Sequence, residues 1–442
     1  MKVMTETLQD LLSDGKHAGF SSVEAFGEVT KKQEYRHFRG EPASLHSMDT
    51  HRVTARAFWE TGNPVGFSLS KPDRDSVKSA FLKIYSSHLP DNKENYRHRL
   101  PASVHKVKLR IFDESVESVD IHTFKEFVDH IDEIMISSAF RELKLTKILL
   151  SKTLKKVYIA NTNGLNAKYR KTNFNLALGF ALVNNHMEVN ENRVFFQQLE
   201  PFKIISRAFN LLRSLTETTF SPAKNRNLYL ILSPEASAFI LKEFSDYFKI
   251  RADRKMMEIQ YPSILNIVDN PLMDGQAGSV PFDDEGGQVQ PGEKYLIQKG
   301  IFSQVVLDIA AAFQNNTVST GNGFRSERSL FPTVRFSNLY IKPTVLPLKN
   351  LMTDAGEGVL VSLLKLKSID KKGYLFSAYG YRFKNDDMLE PVHFYFKTSF
   401  RSYFLKISKI SKETKFFHSA FNIGSPYILV EARRQSRDEF EV

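Results

Sequence analysis

Apolar residues along the chain recur at two periods, and the period changes with position. Residues 5–18 place Leu8, Leu11 and Leu12 on one side at helical spacing, which predicts an amphipathic helix. Strand-like runs follow at 23–26, 36–39 and 50–58. A hairpin is predicted around Gly62, Asn63 and Pro64, because that trio is strong turn chemistry. A helix over 73–87 closes a first unit, and the charged, apolar-poor stretch 91–101 reads as a connector. A second unit is predicted from a helix over 121–138, strands near 155–159, 173–183 and 193–196, and a helix over 200–215. That last helix sets Phe202, Ile205, Phe209 and Leu212 at helical spacing. Residues 221–225, with Pro222, mark a second boundary.

The third unit opens with a strand over 228–232 that runs into Ser233, Pro234 and Glu235. A hydroxyl at the N-cap, proline at the first position and an acid in the first turn form a helix-start signature. The helix is expected to run through Phe239, Phe244 and Phe248. A strand-like run over 263–268 leads into a long loop, 269–286, and a helix-like run spans 295–313. Beyond Pro332 the pattern is mostly strand, at 334–341, 358–366, 375–383, 392–395 and 427–431. These readings give an α+β chain: N-terminal α/β units over residues 1–100 and 101–220, then a strand-rich domain over 221–442.

Composition narrows the function. The 442 residues are 42% hydrophobic and 25% charged, as in a folded globular protein, and 36 phenylalanines supply core. The absence of cysteine removes disulfides, thiolate metal sites and cysteine nucleophiles. No apolar run is long enough to span a membrane, and the first residues lack an apolar signal region, so a cytoplasmic protein is expected. The net charge of +11 is dispersed, without a nucleic-acid docking motif, so nucleic acid is not an expected partner.

The 269–286 loop holds the most site-like chemistry. It spends glycine and proline freely and closes on Asp283, Asp284, Glu285 and Gly286. Adjacent carboxylates suit metal binding, acid/base work or amine recognition, while composition alone favours a solvated turn. A second glycine-rich turn, Thr320, Gly321, Asn322 and Gly323, could present backbone amides to an anion. There is no histidine between His186 and His393, no Gly-x-Ser-x-Gly elbow and no phosphate-binding loop. His122 and His130, with Asp129, Asp132 and Glu133, read best as a polar helix face.

Taken in order, several segments resemble the TldD/PmbA family, described as subunits of a bacterial metalloprotease and as modulators of DNA gyrase. They are 230–236 (Leu-Ile-Leu-Ser-Pro-Glu-Ala), 267–271, 282–286, 296–302, 319–323, 335–341 and 424–426. The resemblance implies, for the TldD branch, a helix bearing His-Glu-x-x-x-His, with two zinc-binding histidines, a glutamate that activates water and a distant cysteine ligand. In register with that helix this chain has Lys242, Glu243 and Tyr247: the base position is kept and both histidines are replaced. An ammonium 4 Å from a cation would repel it by about 4 kcal/mol at an effective dielectric near 20. The resemblance therefore implies a PmbA/TldE-like, zinc-free subunit acting on unfolded peptides, paired with a TldD-like catalytic subunit or with itself, with zinc only in the partner. Asp283, Asp284, Glu285 and Gly286 together with Thr320 to Gly323 would shape the cleft or the subunit contact. Two other readings stay open: a peptidase with an all-oxygen metal site built from Glu243, Asp283, Asp284 and Glu285, and a gyrase or nucleic-acid modulator.

Overall fold

The computed structural model describes residues 2–59, 64–69, 74–87, 100–136, 138–216, 227–249, 257–287, 292–326, 329–435 and 439–442. The turn at 61–63, most of the connector at 91–101 and the boundary at 221–225 lie outside these residues.

Six antiparallel strands form the N-terminal sheet: β1 (Ser22–Phe38), β2 (Ser44–Phe58), β3 (Val65–Leu69), β4 (Lys144–Asn161), β5 (Asn166–Leu182) and β6 (Asn185–Arg193), in the order β3-β2-β1-β4-β5-β6. Residues on both sides of position 100 thus share one sheet, joined where β1 pairs with β4. Directly paired residues project to the same side of a sheet, so the registers assign its two faces. One face carries helices. α1 (Lys2–His17) and α2 (Arg74–Ser87) bury Leu8, Leu11, Val77 and Phe81 against Val23, Ala25, Val53 and Ala55. α3 (Ile121–Ile136) and α4 (Pro201–Thr216) bury Phe124, Ile131, Ile205 and Leu212 against Leu150, Phe174 and Leu176. The opposite face sets Phe26, Val157 and Ile159 against Phe282 of the C-terminal half.

That half contains two sheets. β7 (Asn227–Leu232), β14 (Glu357–Asp370), β15 (Gly373–Lys384), β16 (Asp387–Thr398), β20 (Ile428–Arg434) and β21 (Glu439–Glu441) close on themselves, because β20 pairs with both β7 and β21, and β17 (Ile407–Ile410) adds to β20. Closure removes the open edges a sheet would otherwise expose. The second sheet has the order β10-β9-β8-β13-β19-β18, with β8 (Ile267–Asp269), β9 (Lys294–Gln298), β10 (Ile301–Phe302), β13 (Asn338–Ile341), β18 (Lys415–His418) and β19 (Asn422–Ser425). Helix α5 (Pro234–Glu243) is sealed into the shared core, touching β7, β14, β18 and β19. Its start is as the sequence predicts: the Ser233 hydroxyl accepts from Ala236 N–H at 3.2 Å and Pro234 takes the first position. None of the described helices is long and apolar enough to cross a membrane.

The expected helix over 295–313 is the main correction to the element pattern. Residues 294–302 form the β9–β10 hairpin instead, and only Ile309–Gln314 is helical, capped by the Asp308 side chain. Lys299 (φ 48°) and Gly300 (φ 79°) are both left-handed, the signature of a tight hairpin turn. A methyl group at Gly300 would lie 2.2 Å from Tyr261 O, so the turn is wedged against neighbouring backbone. Two shorter corrections follow. α5 stops at Glu243 and a 3-10 turn covers Ser245–Phe248, while the run over 263–268 is strand only from Ile267 onward.

Candidate functional site

The long loop begins at Asp269, the last residue of β8, which pairs directly with Lys294 on β9. Both side chains are buried, and the ammonium spends its three protons on Asp269 Oδ2 (3.0 Å), Thr320 O (3.1 Å) and Asn322 Oδ1 (2.5 Å). Asn322 Nδ2 donates to Asp269 Oδ2 and to Arg335 O, each at 2.8 Å, and Asp269 Oδ1 accepts from Ser337 N–H and O–H, each at 2.8 Å. The Thr320 hydroxyl accepts from Leu307 N–H at 2.7 Å. The glycine-rich turn is therefore a buried lock between loops, with its polar atoms directed at protein rather than at an anion.

Asp283, Asp284 and Glu285 are 0%, 5% and 1% exposed, which overturns the solvated-turn alternative. Asp283 accepts from the N–H groups of Glu285 (3.1 Å), Gly287 (2.7 Å) and Gly323 (2.8 Å). Asp284 Oδ2 accepts from Arg325 N–H at 2.7 Å. Glu285 accepts from Arg56 Nη1 and from Ile309 N–H, each at 2.8 Å. Gly286 (φ 66°) lies against Leu165 of the N-terminal half, where a methyl group would stand 2.3 Å from Leu165 Cδ2. Every carboxylate of the run is met by donors of this chain.

Four residues that the motif reading did not single out complete the arrangement: Glu24, Arg56, Lys155 and Arg325. Arg56 on β2 grips Glu24 on β1 through Nε (3.0 Å) and Nη2 (2.5 Å), and Arg325 Nη2 donates to Glu24 Oε1 at 2.5 Å. Arg325 Nη1 donates to Asp284 O, and its guanidinium lies over the Phe26 ring, 4.6 Å from the centroid. Lys155 pairs with Glu28 at 2.5 Å. Glu24 and Arg56 are lone charges in strand runs that are otherwise nearly apolar (Val23-Glu24-Ala25-Phe26 and Val53 to Phe58), the available signal that this face meets a second layer.

The electrostatics follow from burial. Burial alone would raise the Glu24 carboxyl, but attraction to Arg56 and Arg325 and their hydrogen bonds hold it below its ordinary value. Glu285 is pushed up to about 8, first by burial and then by Asp283 and Glu24, against the pull of Arg56. Asp283 is pushed up to about 6 by burial, partly offset by its three N–H donors. Nearby, Lys171 Nζ donates to Ala277 O and Ser279 O with no carboxylate partner among the described residues, and burial followed by repulsion from Lys155 lowers it to about 7.

The end of α5 is a different environment. Lys242 and Glu243 are half-buried, with Nζ 3.3 Å from Oε1, and the ammonium also lies 5.7 Å from the Phe239 ring centroid. Tyr247 sits in the 3-10 turn and packs on Phe400 at 4.7 Å between ring centroids. Glu243 is far along the chain from the buried carboxylates, and among the described residues no three histidine, aspartate or glutamate side chains gather in a metal-holding group.

The family model for the PmbA/TldA metallopeptidase C-terminal domain matches residues 227–435, the stretch holding both turns and α5. Over that stretch, just under half of its length, the chain is similar to the TldD/PmbA family. It is 30% identical over 131 residues to a metalloprotease of Methanothermobacter thermautotrophicus, covering 29% of this chain and 28% of that protein. A metalloprotease TldD homolog of Buchnera aphidicola (subsp. Schizaphis graminum) is 35% identical over 97 residues, 22% of this chain and 20% of the relative. These matches therefore span less than a third of either relative's length. Among solved structures, TldE of Thermococcus kodakarensis superposes with a TM-score of 0.82 at 17% identity, covering 96% of this chain and 98% of that one. A Thermotoga maritima protein described as a proposed modulator of a DNA gyrase gives 0.80 at 16%, with the same coverages. At such identities the superpositions speak for the fold. The zinc that the metallopeptidase name implies does not fit the donors at the end of α5, which offers an ammonium paired to the glutamate and a phenol packed among aromatic rings rather than imidazoles.

Proposed function

We propose that this chain is a TldE-like, zinc-free subunit that pairs with a TldD-like catalytic chain and helps enclose unfolded peptides for cleavage in the cytoplasm. The observation that carries this reading is the end of α5, where Lys242 neutralises Glu243 and the Tyr247 ring packs against Phe400. A glutamate tied to an ammonium is a poor general base, and neither Lys242 nor Tyr247 offers an imidazole to hold a metal-bound water. In this reading Asp283 to Gly286 and Thr320 to Gly323 serve the cleft or the subunit contact from behind, by fixing the wall rather than touching substrate. The all-oxygen metal site has less support, since the Asp283, Asp284 and Glu285 side chains already accept from this chain's own groups.

Co-purification from the native cell tests the proposal. A TldD-like companion is expected at equal stoichiometry, with chelator-sensitive peptidase activity only in the complex. A chain that purifies alone and cleaves peptides with stoichiometric bound metal would overturn it.

A further inference from the structure

The helix-bearing face of the N-terminal sheet is covered at both ends and open between them. α1 and α2 close over Val23, Ala25 and Tyr158, and α3 and α4 close over Tyr35, Leu150 and Phe174. The registers Lys31↔Asp49, Lys31↔Leu154, Gln33↔Lys152 and Val29↔Lys156 put the intervening side chains on this same face. They line a cavity of about 530 Å³ whose floor is Leu154 and whose far wall is Val116 of the 3-10 turn Glu114–Glu117. A bare stretch of sheet face is normally apolar and covered. Here Lys31, Lys32, Lys152 and Lys156 line it, against two carboxylates, Asp49 and Glu117; Lys32 is tied to Glu34 at 2.5 Å, which leaves Lys31, Lys152 and Lys156 to be considered.

Each of the three has protons to spare. Lys152 Nζ donates to Val116 O (3.0 Å) and Val119 O (2.5 Å), two neutral carbonyls that hold the head in place and leave one N–H over. Lys31 lies 3.7 Å from Asp49 with both side chains more than half exposed (62% and 52%), a loose pair that a better acceptor can displace. Lys156, half-buried, has no ion-pair or hydrogen-bond partner among the described residues. Lys152 and Lys156 flank Leu154 on one strand and Lys31 faces Leu154 from the next, so long side chains from three sides can converge above one apolar floor.

We propose that this trough binds a small phosphate-bearing molecule, its phosphoryl dianion held by Lys31, Lys152 and Lys156 and its organic part resting on Leu154 and Val116. Phosphate takes several donors at once, and lysine serves it as a point charge. The cavity has room for more than inorganic phosphate alone. The site lies on the sheet face opposite the buried clamp and does not depend on the pairing proposed above.

Isothermal titration of the full chain at low salt with ribose 5-phosphate, inorganic phosphate, ribose and a glutamate-rich peptide tests this. Saturable one-site binding of ribose 5-phosphate, with ribose silent, is expected; a stronger response to inorganic phosphate would identify free phosphate as the ligand and equally support the site. The double variant Lys31→Gln, Lys156→Gln should weaken binding at least tenfold with an unchanged circular dichroism spectrum. A single Leu154→Glu change, which puts a carboxylate on the floor, should abolish it. No saturable binding of either phosphate, undiminished binding in the double variant, or tighter binding of the acidic peptide would each overturn the assignment.

Discussion

Two polar parts of the C-terminal half invite opposite expectations from their residues and behave in opposite ways. Residues 283–286 and 320–325 look like solvated turns, yet they are buried, meet donors from β2 and the 309–314 helix, and donate from Arg325 to Glu24 on β1. The end of α5 is where the family resemblance leads one to expect chemistry, yet Lys242 and Glu243 are half-buried and pair with each other. A buried carboxylate demands donors, and once it has them it is structure; a half-exposed ion pair is worth little to the fold. Burial, rather than the number of acids in a row, separates the clamp from the end of α5.

Breaking the clamp should cost most. Arg56→Met leaves Glu24 and Glu285 buried without their shared guanidinium, and urea unfolding should show a loss of about 3–5 kcal/mol. A loss under about 1 kcal/mol would remove the contrast drawn above. Gly323→Ala comes next: its methyl group would stand 2.3 Å from Glu285 Oε2, and crowding of this kind costs about 1–3 kcal/mol.

The pH dependence sharpens the comparison. Glu285, raised to about 8 in the folded chain against an ordinary value of 4.5, binds more proton folded than unfolded between those values. Stability from this group is therefore fullest below pH 4.5 and is lost as pH rises through 8. Glu285→Gln should flatten the decline, read as the difference between the two thermal-midpoint curves from pH 5 to 8. Lys171 has the other sign. It is lowered to about 7 from an ordinary value of 10.5, so the unfolded chain binds more proton between those values and stability rises with pH across them. Lys171→Met should stabilise the chain at pH 7 and lose that advantage by pH 10.

The smallest effect belongs to α5. Lys242→Ala should change stability by less than about 1 kcal/mol, as exposed pairs do. Metal analysis of the wild-type chain should find no stoichiometric zinc. Tightly held zinc would collapse the difference between the two regions from the other side.

The sequence by itself determined a good deal. Helical and strand periods mark α1, α3, α4, the start of α5 and the strands of the barrel, because each buries one side against a continuous layer. The Ser233-Pro234-Glu235 cap is local chemistry and needs no partner to be recognised. That Lys242 and Tyr247 carry no imidazole is a matter of residue identity, which no folding can alter. What only the tertiary structure decided are the pairings: that Glu24 and Arg56 on the N-terminal sheet reach Glu285 and Arg325, that 295–302 turns as a hairpin where Gly300 meets Tyr261 O, and that Lys31, Lys152 and Lys156 share one face. The physical reason is that a charge's worth depends on its distance to partners and on the water around it. In this chain those partners lie as many as 301 residues apart.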